Sequence, residues 1–433
     1  MAGGTTKNIQ DQRQLIFVNR FFHPDESATS LILTDLARYL AGSGRTVTVV
    51  TSQLSYTNAD KRYPAREDWS GIEIARVRTT GFGRGSLLGR AADYLSFYAS
   101  SFLSVLKRAR RHDVVISKTD PPMLGMIVGF AARLKGARRV NWLQDVFPEV
   151  ATALGFSLPG RALLRALRNR SLSVAHLNVA VGSRMAAFVE AETRGRAETV
   201  VIPNATVCES ATDPEVAAQL RAAWGYRADD FIIGYFGNLG RAHDIDTVMK
   251  AATLLRGERR IQFLFVGGGH LLAEVDARAD ALALTNVETR TYVPRGALAQ
   301  SLCLPNLHWL TLVPSTEALI VPSKIYGIAA AGRPALFVGS PVGEIGQILD
   351  RHGFGQTIAP GDGASFAQAV LALKADRGRM AVMGQAARAF AEGEGAQARA
   401  FALWDAALDW LRHAPVRPAP CTQTLASKGA DSH

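Results

Sequence analysis

"PSKIYGIAAAGRP", Pro322 to Pro334, opens on a helix-capping serine and a lysine, continues in small apolar side chains and closes on Gly332-Arg333-Pro334. Ser323 suits an N-cap, and glycine followed by proline suits a helix end. Lys324 then falls on the first turn. A helix N-terminus carries roughly +0.5 of a charge and unpaired N–H groups, so a cation there is unfavourable unless an anion offsets it. The misplaced charge predicts a phosphate site. "FGNLGRAHD", Phe236 to Asp244, predicts another. Gly237 and Gly240 let backbone N–H groups approach an anion, and Arg241 can pair with it through two parallel hydrogen bonds. Two glycine-bearing turns at strand ends, each with a cation, fit a diphosphate.

Other chemistries fit less well. Asp244-Ile245-Asp246 has the spacing of a DxD metal motif. It falls in a helix's first turn, where the dipole favours aspartate anyway, so no metal is expected. Gly267-Gly268-Gly269 hints at a dinucleotide fingerprint, but such glycines belong after the first strand. That strand is followed by Asn19-Arg20-Phe21-Phe22-His23 instead. No GxSxG nucleophile elbow is present, and no cofactor is expected.

These residues need a scaffold, and the pattern is strand and helix in alternation. Uninterrupted apolar runs at 15–19, 47–52, 72–78, 114–117, 140–143, 177–181 and 199–202 read as strands. Helices are predicted over 27–40 and 91–111, with a buried one over 123–134. The pattern restarts after Pro203-Asn204. A charged helix over 213–228 leads to strands at 231–236, 262–266, near 287, 308–313 and 335–338, with a helix from about His243. Apolar strands separated by helices indicate parallel sheets covered on both faces. The expected fold class is α/β, with two doubly wound Rossmann-like domains whose crevices face one central cleft. The first domain is placed at 1–205 and the second at 206–394. A helix over about 395–413 is expected to pack back on the first domain, and 414–433, rich in proline and polar residues, is expected to be disordered.

The chain has 433 residues, and no apolar run reaches the roughly 20 needed to span a bilayer. Its first residues lack a signal-peptide core. Cys208, Cys303 and Cys421 are scattered and suggest no disulfide framework. A soluble, cytoplasmic enzyme or binding protein is expected. The net charge of +11 is uneven: residues 1–205 hold 28 Lys and Arg against 16 Asp and Glu. Lys107-Arg108-Ala109-Arg110-Arg111 and the helical series Arg161, Arg165, Arg168 stand out. Together they predict an anionic partner, most simply a membrane leaflet or a lipid diphosphate. Nucleic acid is not expected, because aromatics are not interleaved with the basic residues and no zinc-finger spacing occurs.

Seven stretches carry a resemblance: "NRFFHPDESATS" (19–30), "SKTDPPML" (117–124), "NWLQDVFPEVATALG" (141–155), "VIPNAT" (201–206), "FGNLGRAHDID" (236–246), "FLFVGGG" (263–269) and "VPSKIYGIAAAGRP" (321–334). In this order they resemble the family 4 glycosyltransferases of the GT-B fold, closest to the subgroup of colanic-acid, O-antigen and other exopolysaccharide pathways. The resemblance implies metal-independent, retaining transfer of a hexosyl or N-acetylhexosaminyl unit from a nucleotide-diphosphate sugar. It implies a lipid-linked saccharide acceptor, often on undecaprenyl diphosphate, at the inner membrane face.

On the donor side the resemblance implies contacts from Gly237, Asn238, Gly240, His243, Gly267, Val293, Glu317, Ser323 and Lys324, with Lys324 and Arg241 stabilising the leaving diphosphate. Asn238 and His243 stand where the family commonly has Arg and Lys. Of the family's usual glutamate pair, the second position is Gly327, and Glu317 lies only in the region of the first. On the acceptor side it implies His23, Ser27, Thr29, Lys118, Asp145 and Glu149. A family histidine is missing near Lys118-Thr119-Asp120, so Asp120, Asp145 and Glu149 all stay open as the polar group that assists catalysis, Asp120 being the first choice. Two further readings are an epimerase on the same architecture and a catalytically silent glycan- or lipid-binding subunit.

Overall fold

The computed structural model describes residues 13–58, 60–83, 86–205 and 214–413. The expected tail at 414–433 lies outside the described residues, as do the first twelve residues and the expected helix start at Asp213. The chain divides into two compact units. Unit 1 takes its described residues from Met1–Glu149, Leu158–Ile202 and Phe401–His433, and unit 2 from Val150–Ser157 and Pro203–Ala400.

Unit 1 is built on eight strands: β1 (Leu15–Val18), β2 (Val47–Ser52), β3 (Arg66–Trp69), β4 (Ile72–Val77), β5 (Val114–Lys118), β6 (Arg138–Leu143), β7 (Leu177–Ala180) and β8 (Thr199–Val201). Their order is β3-β4-β2-β1-β5-β6-β7-β8, parallel except for the β3–β4 pair. Every residue of β1, β2 and β5 is buried, because helices cover both faces. β3, with the sequence REDW, alternates exposed and half-buried at the edge. Its sequence lacks an apolar run, which is why it was not expected. The helix Leu87–Arg108 buries Phe97 and Val105 against the core, and Leu124–Leu134 buries Leu124, Val128 and Ala131. The latter was expected as a buried helix; it is buried on one face, while Phe130 and Leu134 are more than half exposed. The last helix, Gln397–His413, contributes Trp404 against Trp142 and Phe401 against Tyr39. Tyr39 also donates to Asp405, at 2.6 Å.

Unit 2 has six parallel strands: β9 (Phe231–Asn238), β10 (Ile261–Gly268), β11 (Val287–Arg290), β12 (Leu307–Thr311), β13 (Ala335–Val338) and β14 (Gly355–Ile358). Their order, β11-β10-β9-β12-β13-β14, reverses direction between β9 and β12. In an open parallel sheet, ligands sit outside the strand carboxyl ends at such a reversal. The core below packs Tyr235, Phe263, Phe265 and Trp309 with Phe366 and Val370. No described helix is long and apolar enough to cross a membrane.

Candidate functional site

The turn after β9 meets the turn after β12 at the reversal in unit 2. Gly237 has φ +127°, and a Cβ there would lie 2.5 Å from Lys324 Cε. The absent side chain lets Lys324 cross the end of β9. Its Nζ lies 3.4 Å from the Asn238 carbonyl and 4.9 Å from the Tyr235 ring centroid. Tyr235 donates its own hydroxyl to the same carbonyl at 2.8 Å. Among the described residues no carboxylate pairs with Lys324, and burial lowers its pKa to about 8. It is mostly cationic at pH 7, so an anion in the turn would find an ammonium with spare N–H donors.

Lys324 is the first residue of the helix Lys324–Ala330, where the sequence placed it. The helix is shorter than expected, ending before Gly332 at φ +62°. Ser323 stands at the N-cap position, but its side chain makes no capping bond. The hydroxyl that was expected to cap is therefore not tied to the helix.

His243 closes the β9 turn. Gly240 N–H donates to its Nδ1 at 3.0 Å, and Val313 N–H donates to the Ala242 carbonyl at 2.9 Å. Burial, then the Lys324 charge, pushes its pKa down to about 4. His243 is neutral at pH 7 and adds no charge beside the lysine. Asp244 Oδ1 accepts from Thr247 N at 3.0 Å, the capping role expected of it. Asp246 pairs with Arg278. The helix starts at Asp246 rather than His243 because these bonds fold residues 240–245 into a turn. Arg241 is exposed, and its guanidinium lies 5.5 Å from the Phe156 ring centroid.

The glycines at the end of β10 shape the neighbouring wall. Gly267 has φ +144° and stands against Gly237, and Leu239 N donates to the Gly268 carbonyl at 2.7 Å. Tyr292 covers Gly268, and Val293 is half-buried on the adjoining cluster. Glu317 is buried, and its Oε1 accepts from Ser340 N at 2.8 Å. Gly339 and Gly343 leave room for that carboxylate. It thereby braces the turn "GSPVGE" after β13. That turn was missed, although its strand, glycine turn and helix repeat the grammar of the two that were found. Tyr235, the floor beneath Lys324, was also missed, because a strand aromatic reads simply as core.

Unit 1 gathers its expected residues less evenly. The His23 ring stacks on Trp69 at 3.8 Å, and its carbonyl accepts from Arg76. Ser27 caps the helix Ala28–Gly42 by accepting from Ser30 N. Lys118 points inward, donating to the Thr29 carbonyl at 3.0 Å with Nζ 4.0 Å from the Trp142 ring centroid. Burial lowers its pKa to about 7, and nearby Asp120 opposes the shift. Thr119 Oγ1 accepts from the backbone N–H groups of Gln144 and Asp145. Glu149 is held by Arg168 at 2.7 Å in a cluster with Arg165 and Glu192. Arg168 is only 7% exposed, so the series Arg161, Arg165, Arg168 is not one open basic face.

Burial raises the Asp145 pKa from 3.8 to about 6, with Asp120 adding to the rise and Thr119 opposing it. The native state therefore prefers the protonated acid. That contribution is fully present below about pH 4 and is lost as pH rises through about 6. A two-unit shift corresponds to at most about 3 kcal/mol. Asp145→Asn, neutral at every pH, should match the wild type near pH 4 and exceed it in stability at pH 7.5. Denaturant midpoints at the two pH values check this; equal midpoints at pH 7.5 would show that Asp145 ionises without strain.

Residues 29–205 match the Glycosyl transferase 4-like domain, and residues 230–376 match Glycosyl transferases group 1. The chain is a family 4 glycosyltransferase. It is 29% identical over 276 residues to a Pseudomonas aeruginosa protein named as a probable glycosyltransferase, WbjE, covering 62% of this chain and 68% of that one. It is 26% identical over 345 residues to WcaI of Escherichia coli (strain K12), a protein named as a putative colanic acid biosynthesis glycosyl transferase, covering 76% and 84%. Anabaena Alr3699/HepE in complex with UDP-glucose shares the fold, with a TM-score of 0.68, 16% identity and coverage of 92% and 99%. The glycosyltransferase thus has the GT-B fold, with two Rossmann-like units, and belongs to the kind that works in polysaccharide biosynthesis.

Proposed function

We propose that this glycosyltransferase moves a hexosyl or N-acetylhexosaminyl group from a nucleotide-diphosphate sugar to a polyprenyl-diphosphate-linked saccharide, with retention and without a metal. The observation that carries the donor reading is the Lys324 ammonium laid across Gly237 at the reversal of the unit 2 sheet, with no carboxylate partner among the described residues. The solved relative that binds UDP-glucose supports the same class of donor. Lys324 would neutralise the leaving diphosphate, with Arg241 on the same turn as a second cation once a ligand draws it in. The acceptor hydroxyl attacks from the face the diphosphate leaves, and a phosphate oxygen takes its proton. No protein nucleophile is required.

Incubation with a panel of nucleotide-sugars and a lipid-linked acceptor, read by mass spectrometry, tests this reading. The expected result is one glycosylated product, with free nucleoside diphosphate released only when acceptor is present. Release without acceptor, or conversion of the donor sugar alone, would remove it. Asp244 caps a helix and Asp246 pairs with Arg278, so turnover should persist in EDTA. Loss in EDTA that manganese restores would make the two aspartates ligands.

The acceptor's lipid suggests attachment to the inner face of an anionic membrane. Support comes from the helix Leu87–Arg108. It ends in Lys107 and Arg108, and its Leu88, Leu95 and Leu103 are more than half exposed. Phe102 stacks on exposed Phe130 of the adjoining helix. Each Lys or Arg near such a leaflet contributes about 1 kcal/mol, reduced by salt. Replacing Lys107, Arg108, Arg110 and Arg111 with serine should lower co-sedimentation with anionic vesicles at least tenfold while sparing a short soluble acceptor. Unchanged sedimentation would reduce the cluster to a solvated helix end. Arg108, held by Ser104 and near Glu73, should contribute least.

A further inference from the structure

Unit 1 contains a pocket. It lies where β5 and β6 end, bounded by the first turn of the helix Leu124–Leu134 and by the helix Arg161–Val174. Much of its wall is apolar, from Met123, Met126, Leu143, Phe147 and Leu172. Among its polar residues, Ser117 and Asn141 already have partners: Ser117 Oγ donates to Asn141 Oδ1, and Asn141 donates to Asn178. Two others do not. Asp145 Oδ1 and the Nε and Nη1 groups of Arg168 are buried without a hydrogen-bond partner. Folded proteins keep few such groups, and each one needs an explanation; in residues that line a pocket, a bound group is one.

The occupant must meet both an acceptor and a donor. An anion is disfavoured, because Glu149 and Glu192 already offset the Arg168 charge and Asp145 would repel it. A bare hydroxyl would leave the thioether and leucine walls facing a polar group. We propose that this pocket receives the acetamido group of an acceptor sugar. Its carbonyl would accept from Arg168, its N–H would donate to Asp145 Oδ1, and its methyl would lie against Met123, Met126 and Leu172. A site that hydrogen-bonds a group rejects the analogue lacking it, because its own buried polar atoms are then left unpaired. This assignment rests on reading unit 1 as the acceptor side, and it makes Asp145 and Arg168 determinants of acceptor specificity.

The full chain, without donor, is mixed with the methyl glycosides of N-acetylglucosamine and N-acetylgalactosamine, or with those of glucose and galactose. Saturation-transfer NMR reads binding. The acetamido methyl should receive the strongest saturation, and the parent sugars should bind roughly tenfold more weakly. Ser171→Phe, which fills the pocket from the helix Arg161–Val174, should abolish the signal, whereas Lys324→Ala should leave it. Arg168 is not substituted, because Glu149 and Glu192 would lose their partner. Circular dichroism controls for folding, and the nearly isosteric Asp145→Asn, expected to weaken binding several-fold, keeps the test open if Ser171→Phe misfolds. Equal signals from the two sugar sets, no signal from either, or full binding by both pocket variants would overturn the proposal. Competition by inorganic phosphate would overturn it too, by marking an anion site. A chain that binds acetamido sugars in this way but transfers to no lipid-linked acceptor would lose the proposed activity and keep the pocket.

Discussion

Lys324→Ala should lower transfer about a hundredfold while leaving the circular dichroism spectrum unchanged. The side chain crosses the backbone of Gly237 and ends 4.9 Å from the Tyr235 ring centroid, with no carboxylate to lose among the described residues. Its removal therefore strands no buried charge, and the fold loses little. Chemistry loses more. A preorganised cation at the developing charge of a leaving group is worth on the order of 3 kcal/mol, which is about a hundredfold in rate. Unchanged turnover would take Lys324 out of the site.

A second readout separates charge from shape. Burial has lowered the Lys324 pKa to about 8, so in the free enzyme its ammonium is lost as pH rises through that value. Donor affinity should fall over the same interval. A guanidinium does not titrate there, so Lys324→Arg should flatten the profile even if it binds the donor less well. A decline of the same form in the arginine variant would assign it to another group.

The parallel architecture was legible because β1, β2, β9 and β10 are nearly continuous apolar runs between helices. β3 was not, since an edge strand reading REDW has no buried face to announce it. The position of Lys324 was legible from charge against helix dipole alone. The role of Glu317 was not. Its carboxylate is fixed by Ser340 N and by the space at Gly339 and Gly343, more than twenty residues downstream, and no local pattern encodes that meeting. Arg168 read as one step of a surface series, yet Glu149 and Glu192 draw it inward across two other segments. Helical spacing identifies a shared face but not what that face packs against.

Gly267→Ala should cost about 3 kcal/mol or more in stability. Two effects add. Gly267 has φ +144°, where an L side chain is strained, and its Cβ would lie 2.2 Å from the Gly237 carbonyl oxygen and 2.8 Å from that carbonyl carbon. Both are backbone atoms of a paired strand, so the clash is relieved only by parting β9 from β10 at the proposed donor site. Gly237→Ala makes an informative contrast. Its φ of +127° is also strained, but the atom it meets at 2.5 Å is Cε of the flexible Lys324 side chain, which can swing away. That variant should keep more of its stability and lose its transfer, because the lysine that moves aside is the one proposed to meet the diphosphate. Denaturant midpoints should therefore fall further for Gly267→Ala, while Gly237→Ala should lose donor turnover at a midpoint closer to the wild type. If Gly267→Ala unfolds at the wild-type midpoint, β9 and β10 have slack at their ends, and the glycines serve ligand approach rather than strand contact.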